Sequence, residues 1–345
     1  MKKLLTLTVL TTITLAGCNN DESPSVPETS AGQIRFGAQA MTATTKAPFE
    51  GTISSSNTLT AYVIGSGTSN SYGTIYKDAK SVEAKGAITF TDNGTTQSGF
   101  STGVEWPAVE STTLYFRGFY PASSAWNAEE NSATASVDGK TDLMNAPEIS
   151  GSKTSTETTP LLFKFSHLLT KLHVKVLGNA TTADDWGQIA KIELSKAVNQ
   201  VPANLLTYTY EGEGFVFSGS VETPFYKVTD GESVSYSDDA FDGMTYDIPT
   251  TSTLAAYALV APVTGVAGSG NEKDEYTLKV TTTKGTAVSG KEVAINLQGT
   301  DGKDFIGSTA GKKFDITIQF LKAGQITATA TVTDWVDGGS GSGQM

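Results

Sequence analysis

The sequence predicts an all-β protein. It contains 35 glycines among 345 residues, is rich in Thr and Ser, and has few of the leucine-rich periodic stretches that form amphipathic helices. Apolar and polar residues instead alternate with a period of two over short segments, which is typical of half-buried strands. Turn residues separate these segments, so we expect a chain of many short strands.

The strand pattern begins near Gln33, where Ile34, Phe36 and Ala38 alternate with Arg, Gly and Gln. Further segments with strand character lie at 59–64, 87–91, 113–119, 189–194, 215–217, 255–261, 276–282, 292–297, 314–321 and 326–332. A polar stretch at 184–187 predicts a turn, with a tryptophan packed across it.

The strongest strand pattern lies at 163–176, where Phe163, Phe165 and later Leu172 alternate with polar side chains. Residues 167–169 break the phase of this alternation. The break indicates either a bulge or a crossing from one sheet to another.

The length of the chain predicts two β-sandwich domains, because 345 residues exceed what one hydrophobic core usually serves. A short internal repeat, in which Ser and Thr precede an apolar strand, places their boundary near residue 170. We therefore expect an N-terminal sandwich at 47–170 and a C-terminal sandwich at 171–345. A polar stretch at 19–32 cannot bury enough apolar surface to fold and predicts a flexible tether.

The N-terminus has the pattern of a bacterial lipoprotein signal. Lys2 and Lys3 precede an apolar run at 4–15, which is too short to remain as a membrane span, and small residues then lead to Cys18. We expect a signal peptide at 1–17 and lipidation of Cys18, the only cysteine of the chain. A plain secretory peptide with an incidental thiol is the alternative.

The composition excludes several partners. The formal net charge of −12 argues against nucleic acid and against an anionic lipid surface. No second apolar stretch is long enough to cross a membrane, so the lipid is the expected anchor.

No catalytic or metal-binding constellation is evident. The two histidines, His167 and His173, are six residues apart in one strand pattern, which puts them too far apart to share a metal ion and favours ordinary strand histidines. Acidic pairs at 129–130, 184–185 and 238–239 lie in polar contexts typical of solvated loops, although counting alone leaves a glycosidase pair open. We expect no enzyme activity, no metal and no cofactor.

The tryptophans leave a second function open. Four tryptophans could stack on sugars if they are exposed: Trp106, Trp126, Trp186 and Trp335. Aromatic residues of this kind, however, are more often buried in β-sandwiches. The alternative function is therefore a monomeric surface lipoprotein that binds glycans.

A resemblance to a known family extends this interpretation. One segment contains Phe163, Phe165, Ser166, His167, Leu168, Leu169, Thr170, Lys171, Leu172, His173 and Val174. This segment resembles the FxFxHxLxKLxV strand of the fimbrillin, or Mfa-like, family of Bacteroides-type (type V) pilus subunits. Further similarity lies in the lipobox, in the strand at 33–40, and in segments at 142–144, 257–262 and 330–335.

The resemblance implies two transthyretin-like β-sandwiches in tandem and export to the outer membrane as a lipoprotein. It also implies that a surface protease removes the lipidated tether and first strand, 18–46, by cutting between Lys46 and Ala47. The family usually has arginine before the cleavage site, so the lysine leaves the specificity of the protease open.

In such a family the opened groove accepts a strand from a neighbouring subunit, with backbone hydrogen bonds providing affinity. The segment 326–332 is the candidate donor strand, because Ile326, Ala328, Ala330 and Val332 share one face. It could equally be an ordinary last strand. The resemblance implies as partners other pilus subunits, the maturation protease and a ligand on host or bacterial surfaces, at the outer membrane and in a fimbria.

Overall fold

A computed structural model of the chain describes residues 32–40, 53–122, 132–157, 159–197, 202–209, 214–229, 234–264, 275–297, 308–322 and 325–334. Within these ranges, helical structure is confined to α1 (Lys153–Thr156), α2 (Thr182–Trp186) and a 3₁₀ turn at Gly285–Ala287. The predicted all-β fold class is confirmed. In the same ranges no helix is both long and apolar enough to span a membrane.

The first sheet contains eight strands, numbered here along the chain. They are β1 (Arg35–Ala40), β2 (Leu59–Thr68), β3 (Ser71–Ile75), β4 (Lys85–Phe90), β5 (Ser98–Gly99), β6 (Leu114–Tyr120), β8 (Met144–Gly151) and β9 (Leu161–His167). Their spatial order is β3-β2-β6-β8-β9-β1-β5, and β4 also pairs with β2.

Three further sheets contain the remaining strands. A three-stranded sheet, in the order β13-β12-β7, is formed by β7 (Ser132–Ser136), β12 (Leu205–Thr209) and β13 (Gly214–Ser218). A six-stranded sheet, in the order β16-β15-β18-β10-β21-β22, is formed by β10 (Thr170–Leu177), β15 (Tyr226–Thr229), β16 (Ser235–Ala240), β18 (Thr253–Val260), β21 (Lys312–Phe320) and β22 (Ile326–Asp334). A five-stranded sheet, in the order β14-β11-β19-β20 with β17 also on β11, is formed by β11 (Gln188–Ala197), β14 (Thr223–Pro224), β17 (Asp242–Asp247), β19 (Glu275–Thr282) and β20 (Lys291–Asn296).

The phase break at 167–169 is a crossing between sheets. β9 ends at His167 in the first sheet, and β10 begins at Thr170 in the six-stranded sheet. The connecting leucines are held by backbone bonds: the amide of Leu168 donates to the carbonyl of Leu143 at 2.8 Å, and the carbonyl of Leu169 accepts from Gly311 at 2.9 Å. His167 and His173 do not lie in one strand, as their spacing predicts, but in different sheets, so that expectation is wrong.

Apolar side chains form three clusters. One lies within residues 34–165, against the first sheet, and another within residues 172–330, between the six- and five-stranded sheets. The third cluster draws residues from both parts of the chain, including Phe119, Tyr208 and Tyr257. The described residues belong to one compact unit that begins at Gly32. The division into two domains near residue 170 stays a prediction.

Several strands lack the alternation by which strands are recognised in a sequence. β7, β12 and β16 are rich in Ser, Thr or Asp, so they show little contrast between their two faces. β8 contains Pro147, which normally argues against a strand inside a sheet. The pairing of β8 with β6 shifts register between Phe116 and Gly118, and this irregularity accommodates the proline.

The polar stretch at 184–187 was expected to be a turn and instead contributes to α2. Asp184 and Asp185 occupy the first turn of this short helix, where negative charge is favourable. The predicted packing of Trp186 is confirmed, since its side chain is buried against Phe320 with ring centroids 5.5 Å apart.

Candidate functional site

Strand β1 lies inside the first sheet. It runs parallel to β9, with Phe36 opposite Leu161 and Ala40 opposite Phe165, and antiparallel to the two-residue strand β5. Its N-terminal extension is also bonded, since the amide of Ile34 donates to the carbonyl of Val104 at 2.9 Å. Without residues 32–40, one edge of β9 would therefore be unpaired.

The inward side chains of this strand are completely enclosed. Ile34, Phe36, Ala38 and Ala40 are each exposed by 4% or less. The Phe36 ring has the most neighbours, because Phe100, Phe116 and Phe163 have ring centroids 5.7, 4.9 and 5.1 Å away, respectively. Burial of an Ile or Phe side chain stabilises a fold by about 1.5–3 kcal/mol, so this strand is a substantial part of the core.

On the outward face of β1, one position has little room for a side chain. A Cβ atom on Gly37 would lie 3.1 Å from Cδ1 of Leu162 and 3.3 Å from Cα of Gly94. Gly94 has a positive φ of +79°, a backbone conformation in which glycine is favoured. Any strand in the place of β1 must therefore pass close to this loop.

Strand β22, the candidate donor, is the edge strand of the six-stranded sheet. It pairs antiparallel with β21 over nine residues, from Phe320 opposite Ile326 to Lys312 opposite Asp334. Ala330 is buried, while Ile326 and Ala328 are partly buried against the same core. Ile326, Ala328 and Ala330 thus face the same core, and in this structure the strand packs within its own chain.

Other predicted site residues lie outside the described ranges. They are Cys18, the predicted lipidation site, and Lys46 and Ala47, the predicted cleavage site. Val332 lies in β22 opposite Phe314, and only its backbone pairing is described.

The two histidines have polar partners in a buried setting. Nδ1 of His167 lies 2.9 Å from Oδ2 of Asp142, and neither side chain is exposed to solvent beyond a few per cent. His173 lies between two partners, with Nε2 2.9 Å from the hydroxyl of Tyr236 and Nδ1 3.4 Å from Oδ1 of Asp315. The expectation of ordinary strand histidines is consistent with both arrangements.

Burial dominates the electrostatics around His173. It lowers the pKa of His173 to about 4, although the hydrogen bond to Asp315 acts in the opposite direction. Burial also lowers the pKa of Lys171 well below its usual value, and the Nζ atom of this lysine donates to the Tyr236 hydroxyl at 2.8 Å. Hydrogen bonds therefore connect Lys171, Tyr236, His173 and Asp315 in a chain inside the sheet.

Arg117 is a structural residue that sequence reasoning did not single out. Its side chain is buried in β6, where Nη1 donates to the hydroxyl of Tyr208 on β12 and Nη2 donates to Oδ1 of Asn70 at 2.5 Å. Glu148 accepts from the backbone amide of Asn70 at 2.8 Å and from the hydroxyl of Tyr72 at 2.7 Å. The network links the first sheet to the three-stranded sheet.

Two tryptophans are placed by the structure, and neither presents a ring face to solvent. Trp106 is 8% exposed and packs edge-on against Phe116, while Trp186 is 1% exposed and donates from Nε1 to the carbonyl of Leu321 at 2.9 Å. Trp126 and Trp335 lie outside the described ranges. The glycan-binding alternative therefore gains no support from Trp106 or Trp186.

Among the described residues, no group of three or more His, Cys, Asp or Glu side chains is placed to hold a metal ion. Asp238 and Asp239 lie in β16, and Asp184 and Asp185 lie in α2, all with exposed side chains. The pair at 129–130 lies outside the described ranges.

Solved structures share this fold. A candidate cell adhesion protein from Bacteroides uniformis ATCC 8492 is 19% identical, with a TM-score of 0.52, over 89% of this chain and 99% of that protein. The tip fimbrial protein Mfa3 from Porphyromonas gingivalis, with C-terminal truncation, is 13% identical over 88% of this chain and 100% of its own length, with a TM-score of 0.40. The fold likeness rests on the first of these. No curated protein matches the sequence.

The family assignment comes from the sequence itself. The model of the fimbrillin-like family matches residues 45–335, which is most of the chain. This confirms the resemblance seen at 163–174. Proteins of this family are fimbrial proteins of the cell surface and are not enzymes. The chain belongs to the fimbrillin-like family.

Proposed function

We propose that this chain is a structural or accessory subunit of a fimbria and joins its neighbours by exchange of a β-strand. The observation that supports this most directly is the position of β1. All of its inward side chains are buried, it lies between β9 and β5, and it comes before the start of the family match at residue 45. A groove of this depth would bind an incoming strand through backbone bonds and alternate side chains.

We propose that the chain reaches the cell surface as a lipoprotein attached through Cys18 at the outer membrane. A surface protease then cuts between Lys46 and Ala47 and releases 18–46, which includes β1. Arg35 is a poorer cleavage site because it lies within β1 and pairs with Gly99. Other subunits of the family are the proposed assembly partners, and the fimbria would support adhesion.

The retained first strand would also protect the subunit during export. Before cleavage β1 occupies the groove, so the edge of β9 is not available to other chains. An open edge of that length invites aggregation. The proposed cleavage therefore converts an inert precursor into a subunit that can assemble.

The proposed donor is the segment 326–332, and burial favours its transfer. In its own sheet only Ala330 of its described inward side chains is fully buried, while Ile326 and Ala328 are partly buried. The groove offers inward positions that are each exposed by 4% or less. Transfer would sacrifice the pairing with β21 and gain pairing with β9 and deeper burial.

The side chains also suggest a register for the donated strand. With Ile326 at the position of Phe36, Ala328 replaces Ala38 and Ala330 replaces Ala40 in a strand parallel to β9. Thr327 then takes the place of Gly37, so Leu162 and the Gly94 loop must shift by a few tenths of an ångström to admit its side chain. The largest pocket then receives the largest donor side chain. Moving the donor by two residues would put Ala328 in the Phe36 pocket, where a Phe-to-Ala loss costs about 3–5 kcal/mol.

A complementation experiment tests the proposal. The subunit is cleaved after Lys46, and a synthetic peptide of residues 323–337 is added, with a peptide carrying Ala328→Asp and Ala330→Asp as its matched control. We expect the first peptide to bind and block polymerisation and the second not to bind, because unpaired buried charges cost several kcal/mol. If neither peptide binds while cleaved subunits still form detergent-resistant ladders, the donor lies elsewhere.

The N-terminal residue of the protein isolated from cells tests the processing scheme. Cys18 at the N-terminus of the membrane-bound form and Ala47 in the fimbria are the expected results. Phe36 as the mature N-terminus would contradict the proposed cleavage site. Cys18→Ala is expected to leave unprocessed precursor, and its normal maturation would contradict lipidation.

A further inference from the structure

The three-stranded sheet has no charged residue. Its strands β7, β12 and β13 read SATAS, LLTYT and GFVFS. Charged residues make up 17% of the chain, whose net charge is −12. The strands of this sheet are therefore uncharged in an acidic protein, and the nearest charges along the chain to β13 are Glu211 and Glu213, just before the strand.

Among the described residues, one edge of this sheet is unpaired and apolar. β13 pairs with β12 along one side, and in the described part of the chain no strand pairs with its other side. Phe215 is 36% exposed and Val216 is 58% exposed, and Leu205 on the neighbouring strand is also exposed. Soluble proteins usually protect such an edge with charges, proline or a covering element, and β13 has neither a charge nor a proline.

The three central residues of β13 are symmetric about Val216. Phe215, Val216 and Phe217 read the same in both directions. In an antiparallel pair of two such strands, Val216 lies opposite Val216 of the second copy, and each Phe215 lies opposite a Phe217. Aromatic and β-branched cross-strand pairs are among those that stabilise sheets.

We propose that β13 pairs with β13 of a second copy of this chain, antiparallel and about a two-fold axis at Val216. The two three-stranded sheets would then form one continuous six-stranded sheet. Such an interface is self-complementary, as a two-fold contact requires. Two strongly acidic chains also repel each other least where the contacting surface is neutral.

This contact is independent of the proposed strand exchange. β13 belongs to a different sheet from β1 and β22, so both contacts can form on one subunit. A five-residue ladder is small compared with the roughly 1,200 Å² of a stable interface, so free subunits would associate weakly. Subunits already joined in a polymer would associate side by side more strongly through multivalency.

Disulfide trapping tests the pairing. In the uncleaved chain with Cys18→Ala, which has no other cysteine, Val216→Cys is expected to give a covalent dimer under mild oxidation. Directly opposed antiparallel residues have Cα atoms about 4.5–5.5 Å apart, within the range of a disulfide. Val109→Cys is the matched control, because this valine is 65% exposed in a turn outside the sheets. Equal rates of dimer formation for the two variants would overturn the proposal.

A second trapping experiment tests the register. A mixture of Phe215→Cys chains and Phe217→Cys chains is expected to cross-link as mixed dimers at least several-fold faster than either variant alone. Indiscriminate cross-linking would contradict the two-fold pairing at Val216. Because these chains retain β1, failure here would leave the strand-exchange proposal unaffected, and failure of strand exchange would leave this result unaffected.

Sedimentation of chains without the new cysteines provides an independent measurement. We expect concentration-dependent dimers at several hundred micromolar, weakened by about tenfold or more in Val216→Lys and unchanged in Val109→Lys. Both variants add the same charge at an exposed valine, so a general charge effect would weaken both equally. Strictly monomeric protein across this concentration range, or equal weakening in both variants, would overturn the proposal.

Discussion

Phe36 of the first strand packs edge-to-face on Phe116 of β6, with ring centroids 4.9 Å apart and an angle of 71° between the rings. The contact joins a strand near the N-terminus to the middle of the first sheet. It explains why the removal of β1, if it occurs, must be matched by an incoming strand with an apolar side chain at this position.

Phe36→Ala is expected to lower the free energy of unfolding of the uncleaved chain by about 3–5 kcal/mol. The reason is the cavity left among three aromatic neighbours in addition to the lost burial. Urea denaturation followed by fluorescence measures this loss. Val109→Ala, at an exposed position, is the control and should change the free energy by less than about 0.5 kcal/mol. Similar effects in both variants would show that β1 is not part of the cooperative core.

Gly37→Val is expected to destabilise the uncleaved chain by about 1–3 kcal/mol, because the new side chain would press on Leu162 and on the Gly94 loop. Gly73→Val is the matched control. Gly73 lies in β3, another strand of the same sheet, and a Cβ there has no neighbour within 4 Å. Thermal melts of the two variants measure the difference. A larger loss at Gly73 would contradict the close approach at Gly37.

Arg117→Ala is expected to cost about 3–5 kcal/mol, because it removes a buried charge from its hydrogen-bonded partners Tyr208 and Asn70. The loss should also loosen the three-stranded sheet, since Tyr208 lies on β12. Hydrogen exchange of β12 amides measures this local effect. Lys164→Ala removes one positive charge from an exposed position on β9 and should leave both stability and exchange nearly unchanged.

Stability is expected to fall as the pH drops from 6.5 to about 4 because of His173. Its pKa in the folded chain is about 4, below the ordinary value of 6.5, so the unfolded chain binds more protons in this interval. The stability that depends on burying His173 in its neutral form is fully present above pH 6.5 and is lost as the pH falls through the folded pKa. Its full size is about 3 kcal/mol, from about 1.4 kcal/mol per pKa unit.

The neighbours of His173 act in different pH intervals. Burial raises the pKa of Asp315, but the His173 hydrogen bond and Lys313 outweigh it and lower the pKa to about 2, so its contribution is lost only below its ordinary value of 3.8. His173→Gln should therefore flatten the dependence between pH 6.5 and 4, and it should also weaken the dependence below pH 3.8, because the His173 hydrogen bond helps to lower the pKa of Asp315. Urea titrations at several pH values measure this. If the slope of the free energy of unfolding against pH is unchanged in the variant, the pH dependence comes from other groups.

Much of the fold follows from the sequence, because alternation directly reports which strand faces are buried. The strands at β1, β2, β6, β11 and β21 were all predicted within a few residues, and the phase break at 167–169 predicted either a bulge or a crossing, of which the structure has the crossing. Family membership was also recognisable from the short segment at 163–174. The charge balance and the lone Cys18 likewise required no structure to be noticed.

Strands whose two faces do not differ in polarity were not predictable in this way. β7 (SATAS) and β12 (LLTYT) are both uncharged, and β7 joins this sheet by pairing with β12, which is distant along the chain. The neutral edge at β13 became visible only when this pairing was known. β8 was not predicted because it contains Pro147. The register shift that accommodates this proline lies in the pairing of β8 with β6.

By itself the sequence determined the fold class, the family and the residues that alternate along each strand, since these depend on local patterns of polarity. Only the tertiary structure decided that β1 lies between β9 and β5, that β22 packs on β21 in its own chain, and that Arg117 reaches Tyr208 on another sheet. Strand partners are chosen by contacts between residues far apart in sequence. A pattern of period two says which face is buried, but not against which neighbour.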